Sequence, residues 1–220
     1  MAKRPNGSMK WRPSAWKQLL ELVLPALVEL PDSMAWTLGG GTGLAISLDH
    51  RISYDIDIFF EHAAALKRLS PNANPKIRRL SDNWQQPGHY LKIERPEGDI
   101  DFLVTRSFTE TPSFPCNFQG RTIHVETPVE IISKKIHFRG SQFTVRDIFD
   151  FAAFSVIGNA TSIVLLPDVA ESLPRALHRI KLLRKRYETT VQEAVNPTLE
   201  GEKFLASGFD IAVGFLESIL

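Results

Sequence analysis

The chain has 220 residues, 43% hydrophobic and 23% charged, ordinary proportions for a protein with one substantial core or two small lobes. Its 26 Lys and Arg against 25 Asp and Glu leave a formal net charge of +1, which excludes a uniformly basic or acidic protein but leaves room for a local basic patch. The single cysteine, Cys116, excludes an intrachain disulfide, no stretch approaches the ~20 apolar residues of a membrane-spanning helix, and Met1–Gly7 lacks the apolar core of a signal peptide; a cytoplasmic protein without membrane contact is expected.

Helical spacing of Trp16, Leu19, Leu20, Val23, Leu24 and Leu27 predicts a helix over 14–30, with Ser14 as N-cap and Pro25 kinking or dividing it. A short strand over 34–38 follows, then a helix over 42–48 launched from a run of glycines, then a β-rich segment at Tyr54–Phe60. Residues 63–69 read as helix, ended by Ser70-Pro71-Asn72-Ala73-Asn74-Pro75. A hairpin is expected from 90–94 and 99–105 around Pro96-Glu97-Gly98, and a further strand over 122–126. Beyond Pro128 the period is helical, over about 129–138, 145–157, 173–187 and 201–219, with a candidate break at Gly208-Phe209-Asp210. The fold class expected is therefore α+β (mixed α/β), with a mixed-sheet lobe over 1–127 and a helical C-terminal lobe over 128–220.

Two motifs carry chemistry. Gly39-Gly40-Gly41-Thr42-Gly43 forms a turn whose backbone amides can approach an anion, at the start of a helix whose dipole also favours negative charge. Asp55 and Asp57 lie at i and i+2 in a strand-forming segment, which points both carboxylates to one face while Ile56, Ile58 and Phe60 occupy the other. Two carboxylates so close repel unless a cation lies between them, and Mg2+ bridging to phosphates is a common occupant. A phosphate cradle beside such a pair is the layout of a nucleotidyl-transfer site: Gly40, Gly41 and Thr42 hold the NTP phosphates, and Asp55 and Asp57 hold metal. Arg51 and Ser53, just before the pair, are further candidates for the nucleotide; Arg51 either contacts phosphate or pairs with a carboxylate, and His50 is read as structural. Arg175, His178, Arg179, Lys181, Arg184, Lys185 and Arg186 form a cationic helix run that either binds an RNA backbone or is a solvated face.

The stretch Leu38-Gly39-Gly40-Gly41-Thr42-Gly43-Leu44-Ala45, then His50-Arg51-Ile52-Ser53-Tyr54-Asp55-Ile56-Asp57-Ile58-Phe59, resembles the AbiEii/AbiGii-type nucleotidyltransferases, a branch of the polymerase-β-like superfamily. The resemblance resumes at Lys134-Lys135-Ile136-His137-Phe138-Arg139-Gly140 and Arg146-Asp147-Ile148-Phe149-Asp150-Phe151-Ala152; one departure is Gly43, where the family more often has alanine. The resemblance implies a third metal carboxylate on a neighbouring strand, for which Asp101 is the choice over Asp99, with Glu94 as an outside alternative. It also implies that Lys135, or Lys134 one residue earlier, contacts the triphosphate and that Asp147 acts as base or orients the acceptor, with Asp150 orienting a basic neighbour.

The activity so implied is Mg2+-dependent transfer of NMP from an NTP to an acceptor, with tRNA as the acceptor expected, by the toxin of a toxin–antitoxin or phage-defence system with a separate antitoxin partner. The alternatives are a non-catalytic nucleotide- or partner-binding module of the same fold, and transfer to a small-molecule or protein hydroxyl.

Overall fold

The computed structural model describes residues 11–158, 163 and 166–220; the Met1–Gly7 stretch lies outside them. The chain divides into two compact units. The sheet unit takes Ser14–Ile46 and Ser53–Ile131, and the helical unit takes Ser47–Ile52 and Ile132–Leu220 with the described residues before Ser14.

The sheet unit carries β1 (Trp36–Gly39), β2 (Ile56–Phe60), β3 (Trp84–Gln85), β4 (Tyr90–Ile93), β5 (Ile100–Val104), β6 (Ser113–Phe118) and β7 (Arg121–Glu126). They form one mixed sheet in the order β3-β4-β5-β2-β1-β7-β6. β2 runs parallel to β5 and β1 parallel to β7, and the other neighbours are antiparallel. Alternate residues Ile56, Ile58 and Phe60 of β2, with Ile100 and Phe102 of β5, enter one apolar cluster. Leu19, Leu20 and Val23 of α1 (Trp16–Leu27), Leu66 of α3 (Ala64–Leu69) and Ile77 of α4 (Pro75–Arg78) share that cluster. Each fully buried Leu, Ile or Phe there contributes roughly 1.5–3 kcal/mol. This burial fixes the strand register, so the other face of β2 and β5 is left to Asp57 and Asp101.

The helical unit contains most of α5 (Pro128–Arg139), then α6 (Val145–Ile157), α7 (Pro167–Ala170), α8 (Leu173–Leu182), α9 (Arg184–Ala194) and α10 (Lys203–Ile219). α6 starts with a capping box: Thr144 Oγ1 accepts from Asp147 N, and the Asp147 carboxylate accepts from Thr144 N. The loop Ser47–Ile52, which follows α2 (Gly40–Leu48), is stitched to residues 196–201. Ile52 N donates to Asn196 O (2.8 Å), Thr198 N donates to His50 O (3.2 Å), and Thr198 Oγ1 donates to Asp49 O.

The mixed α/β class read from the sequence is the one observed, with local differences. Pro25 does not divide α1 into two elements: the helix runs through it and ends two residues later at Leu27. Ala15, not Ser14, is the N-cap, because the Ser14 hydroxyl donates instead to Ser53 O. α2 begins at Gly40 rather than Thr42, so the glycine run itself opens the helix. β6 was unforeseen because Pro115 interrupts its pattern; it is an edge strand, where a missing N–H is tolerated. The helix expected over 173–187 is two helices meeting at Leu183 (φ −94°, ψ 3°), and α10 runs unbroken through Gly208. Gly208 instead makes room for Tyr187: a Cβ there would lie 2.3 Å from the Tyr187 hydroxyl.

Candidate active site

In the sheet unit, four strands bring one row of residues side by side. Gly39 of β1 pairs with Asp57 of β2, Asp57 with Asp101 of β5, and Asp101 with Lys92 of β4. Paired residues on neighbouring strands point to the same face, so the Asp57 and Asp101 carboxylates are lateral neighbours. Burial, with the Asp57 charge next, pushes the Asp101 carboxyl up to about 7. Lys92 offsets part of this and itself binds Asp99 Oδ2 at 2.5 Å. Desolvation would lower the Lys92 pKa, but the Asp99 hydrogen bond and the surrounding carboxylates raise it on balance.

The glycine turn abuts Asp57. Gly40 adopts φ +56°, a left-handed conformation that favours glycine, and a Cβ there would lie 1.9 Å from Asp57 Oδ2. Thr42 is buried and its hydroxyl donates to Asp55 O, tying the first turn of α2 to the segment entering β2. Asp55 Oδ1 accepts from Asp99 N (3.0 Å), which fastens the start of β2 to the start of β5. Gly41 follows Gly40 in the first turn of α2, and Ser53 is buried before β2. Glu94 lies apart from the row, accepting from Asn83 Nδ2 (2.5 Å) and Gln85 Nε2 (2.9 Å).

The helical unit holds a second constellation, centred on Asp150 of α6. Its carboxylate is fully buried and accepts from Arg51 Nε (2.6 Å) and Nη2 (3.0 Å), Lys135 Nζ (2.6 Å) and His50 Nε2 (2.8 Å). Burial would raise its pKa, but the Arg51 and Lys135 charges and the hydrogen bonds hold it well below the usual carboxylate range. Of the two readings of Arg51, the carboxylate pair is the one observed, as a bidentate fork. Lys135 bridges to Asp147 Oδ1 (3.0 Å), and Asp147 Oδ2 receives Arg139 Nη2 (3.1 Å) and Thr144 Oγ1 (2.8 Å). Against its own burial, Lys135 and Arg139 keep the Asp147 pKa low, so both aspartates are ionised at neutral pH. Burial lowers the pKa of His50 despite Asp150, so its neutral ring donates through Nε2, and Nδ1 is buried with no hydrogen-bond partner among the described residues. Three cations (Arg51, Lys135, Arg139) then face two carboxylates, an excess of one positive charge.

Three charged residues here were not singled out from the sequence. Lys92 shares the Asp101 face, and the hairpin register with Leu91 and Ile93 facing the core was the signal that could have found it. Glu126, buried at the end of β7, accepts from Thr37 Oγ1 (2.9 Å) and stands where a Gly39 Cβ would be, 2.3 Å from its Oε2. Glu130 accepts from the amides of Phe108 and Thr109 and from Thr109 Oγ1 (2.8 Å), pinning that loop, and nothing local in the sequence marks it.

Among the described residues, no three His, Cys, Asp or Glu side chains converge as a metal cage. The neighbouring Asp57 and Asp101 carboxylates, with a carboxyl pKa raised to about 7 by burial and mutual repulsion, nevertheless fit a divalent cation, which relieves that repulsion.

A family model described as nucleotidyl transferase AbiEii toxin, Type IV TA system, matches residues 22–173, more than half of the chain and both constellations. The chain belongs to the AbiEii nucleotidyltransferase toxin family. It is accordingly a nucleotidyltransferase, an enzyme class that transfers NMP from NTP and generally works with a divalent metal. No curated protein matches the sequence. Among solved structures, JHP933 from Helicobacter pylori is 15% identical, with a TM-score of 0.54 over 92% of this chain and 89% of that one, a likeness of fold. A candidate nucleotidyltransferase from H. pylori (16% identical, TM-score 0.49, 93% and 96% covered) is also similar. So is an antigenic nucleotidyltransferase-like protein from Paracoccidioides brasiliensis (17% identical, TM-score 0.42, 81% and 92% covered). Among the described residues of this AbiEii chain, no helix is long and apolar enough to cross a membrane.

Proposed function

We propose that this AbiEii-family chain transfers NMP from an NTP to tRNA with Mg2+, acting in the cytoplasm as the toxin of a toxin–antitoxin or phage-defence pair held in check by a separate antitoxin. The observation that carries the reading is the Gly39–Asp57–Asp101 row with Gly40 closed against Asp57. Only glycine allows the turn so near that carboxylate, which leaves the Gly40 and Gly41 amides at the start of α2 for phosphate oxygens. Thr42 orders that turn through Asp55 O. Asp57 and Asp101, with Asp55 at the entry to β2, are the residues that would hold Mg2+. When bound, the ion supplies charge neutralisation for the phosphates.

In the transfer, an acceptor hydroxyl oxygen bonds to the α-phosphorus, the bond to the β-phosphate bridging oxygen breaks, and pyrophosphate leaves. The hydroxyl proton goes to a carboxylate, for which the family resemblance nominates Asp147; it is ionised, as a base must be. The same resemblance gives Lys135 the triphosphate, and Asp150 is the residue that fixes the direction of its ammonium. Arg51, Ser53 and His50 support the arrangement: Arg51 and His50 are fixed on Asp150, and Ser53 is anchored by Ser14.

The test is incubation of the purified protein with each α-phosphate-labelled NTP, Mg2+ and total tRNA, beside Asp57→Ala. Label in tRNA from the wild type alone supports the reading and identifies the base. Label in protein or a small molecule moves the acceptor, nucleotide binding without label favours a non-catalytic module, and equal labelling by Asp57→Ala sinks the metal assignment.

A further inference from the structure

The cationic run on α8 and α9 is sorted by the fold into two sets. Lys181 Nζ binds Glu217 Oε1 at 2.6 Å. Arg184 binds Asp210 (2.8 Å) and Glu188 (3.4 Å) and lies over the Phe209 ring, and Arg179 Nε donates to Phe143 O (3.1 Å). These three are committed inside the unit. Arg175, His178, Lys185 and Arg186 are exposed, and none has an acidic partner among the described residues; Arg175 donates only to the Ser172 hydroxyl (3.2 Å).

The uncommitted set shares one face. α8 and α9 meet at Leu183, and the buried residues keep to one side across the junction, with Ala176, Ile180 and Leu183 up to it and Tyr187 and Val191 beyond it. At about 100° per residue, Arg175, His178, Lys185 and Arg186 fall within an arc of about 100°, with Leu182, 66% exposed, among them. The buried residues Leu173, Ala176, Ile180, Leu183, Tyr187 and Val191 lie on the opposite side. From Arg175 to Arg186 the stripe runs about 16 Å, at 1.5 Å per residue, the reach of several consecutive phosphates on one strand.

We propose that the Arg175–His178–Lys185–Arg186 stripe is a docking surface for the phosphodiester backbone of RNA, the acceptor strand in the reading above, on which this inference rests. A protein interface would need a contiguous apolar centre, and this face offers Leu182 alone. Cations left unpaired in a row, next to cations of the same run that are paired, match a polyanion supplied from outside.

The experiment measures binding of a fluorescein-labelled tRNA transcript by anisotropy from 50 to 300 mM salt, without NTP. The proteins are the wild type, Arg175→Ala/Lys185→Ala/Arg186→Ala, and a charge-matched triple on exposed residues of the sheet unit, Lys67→Ala/Arg68→Ala/Arg79→Ala. Expected for the stripe triple are about tenfold or more weaker binding and a slope of log affinity against log salt reduced by about 2 to 3, at roughly 0.7–0.9 per phosphate contact, with little change in the control. Circular dichroism checks folding, and Arg175→Lys/Arg186→Lys, which keeps the charge, should retain the slope. Equal losses in both triples overturn the stripe, as does competition by polyglutamate as strong as by duplex RNA. Wild-type-like binding by the stripe triple overturns it while tRNA labelling leaves the acceptor reading standing. No tRNA binding by the wild type, with NTP bound, overturns both.

Discussion

Asp57 and Asp101 sit directly opposite each other on adjacent parallel strands, and Asp101 carries the raised pKa. Its folded pKa, about 7, exceeds the ordinary 3.8, so its stabilising contribution is fully present below about pH 4 and is lost as pH rises through about 7. In EDTA, Asp101→Asn should therefore be more stable than the wild type at pH 8, by about 1–3 kcal/mol, and the difference should shrink toward pH 4. Mg2+ should raise the wild-type melting temperature at pH 8 and leave the variant's unchanged. A wild type indifferent to Mg2+ in thermal melts would count against the carboxylate pair as the ion's seat.

Gly40 and Gly43 separate two roles within one turn. Gly40→Ala places a Cβ on the Asp57 carboxylate at φ +56° and should cost about 1–3 kcal/mol and most of the transfer activity. Gly43→Ala meets the movable end of Ile131 (2.9 Å) and Leu38 O (3.2 Å), and should stay within about 1 kcal/mol with activity kept. Denaturant melts and the labelling assay decide; equal damage from both would refute the division.

Asp150 is the anchor of its unit. Asp150→Asn removes the buried carboxylate that faces Arg51 and one of the two that hold Lys135, and should cost about 3–5 kcal/mol, whereas the more peripheral Asp147→Asn should cost less. Because the folded Asp150 pKa is depressed, its contribution is present above the unfolded value and disappears as pH falls through the folded one. Urea titrations should show the Asp150→Asn deficit at pH 7 narrowing on acidification below about pH 4.

Tyr187 and Gly208 form a testable pair. The buried tyrosine donates to Phe204 O (2.6 Å), and burial pushes its pKa up, so the hydroxyl stays protonated. Gly208→Ala should destabilise by about 1–3 kcal/mol through overpacking, and Tyr187→Phe by about 1 kcal/mol. Together they should cost less than their sum, since the clash is with the hydroxyl itself. Additive losses would show that the glycine serves some other contact.

The sequence made the glycine turn, the two aspartates and most helices legible because they depend on local signals: glycine conformation, period-two alternation on β2 and β5, and helical spacing of apolar residues. What it hid depends on register and distance. Lys92 joins the acidic row only through cross-strand pairing, and β6 is a strand only because β7 lies beside it. The α8–α9 junction at Leu183 has no glycine or proline to announce it. The bond from Arg51 to Asp150 spans 99 positions, and local pattern cannot reveal which of two readings of an arginine such a distance selects.

The stitching of Ser47–Ile52 also sets an order of events during synthesis. Its hydrogen bond between Asp49 and Thr198 joins positions 149 apart, so when that loop leaves the ribosome its partners have not been made. The glycine turn and all seven strands of the sheet are complete by Glu126, while Arg51 and His50 wait in water for α6 and then for residues 196–201. Closing so wide a loop is a late and slow step. A chain cut short before residue 196 thus carries the acidic row but lacks the backbone stitching of Ser47–Ile52, and the helical unit becomes whole only once residues 196–201 have been made.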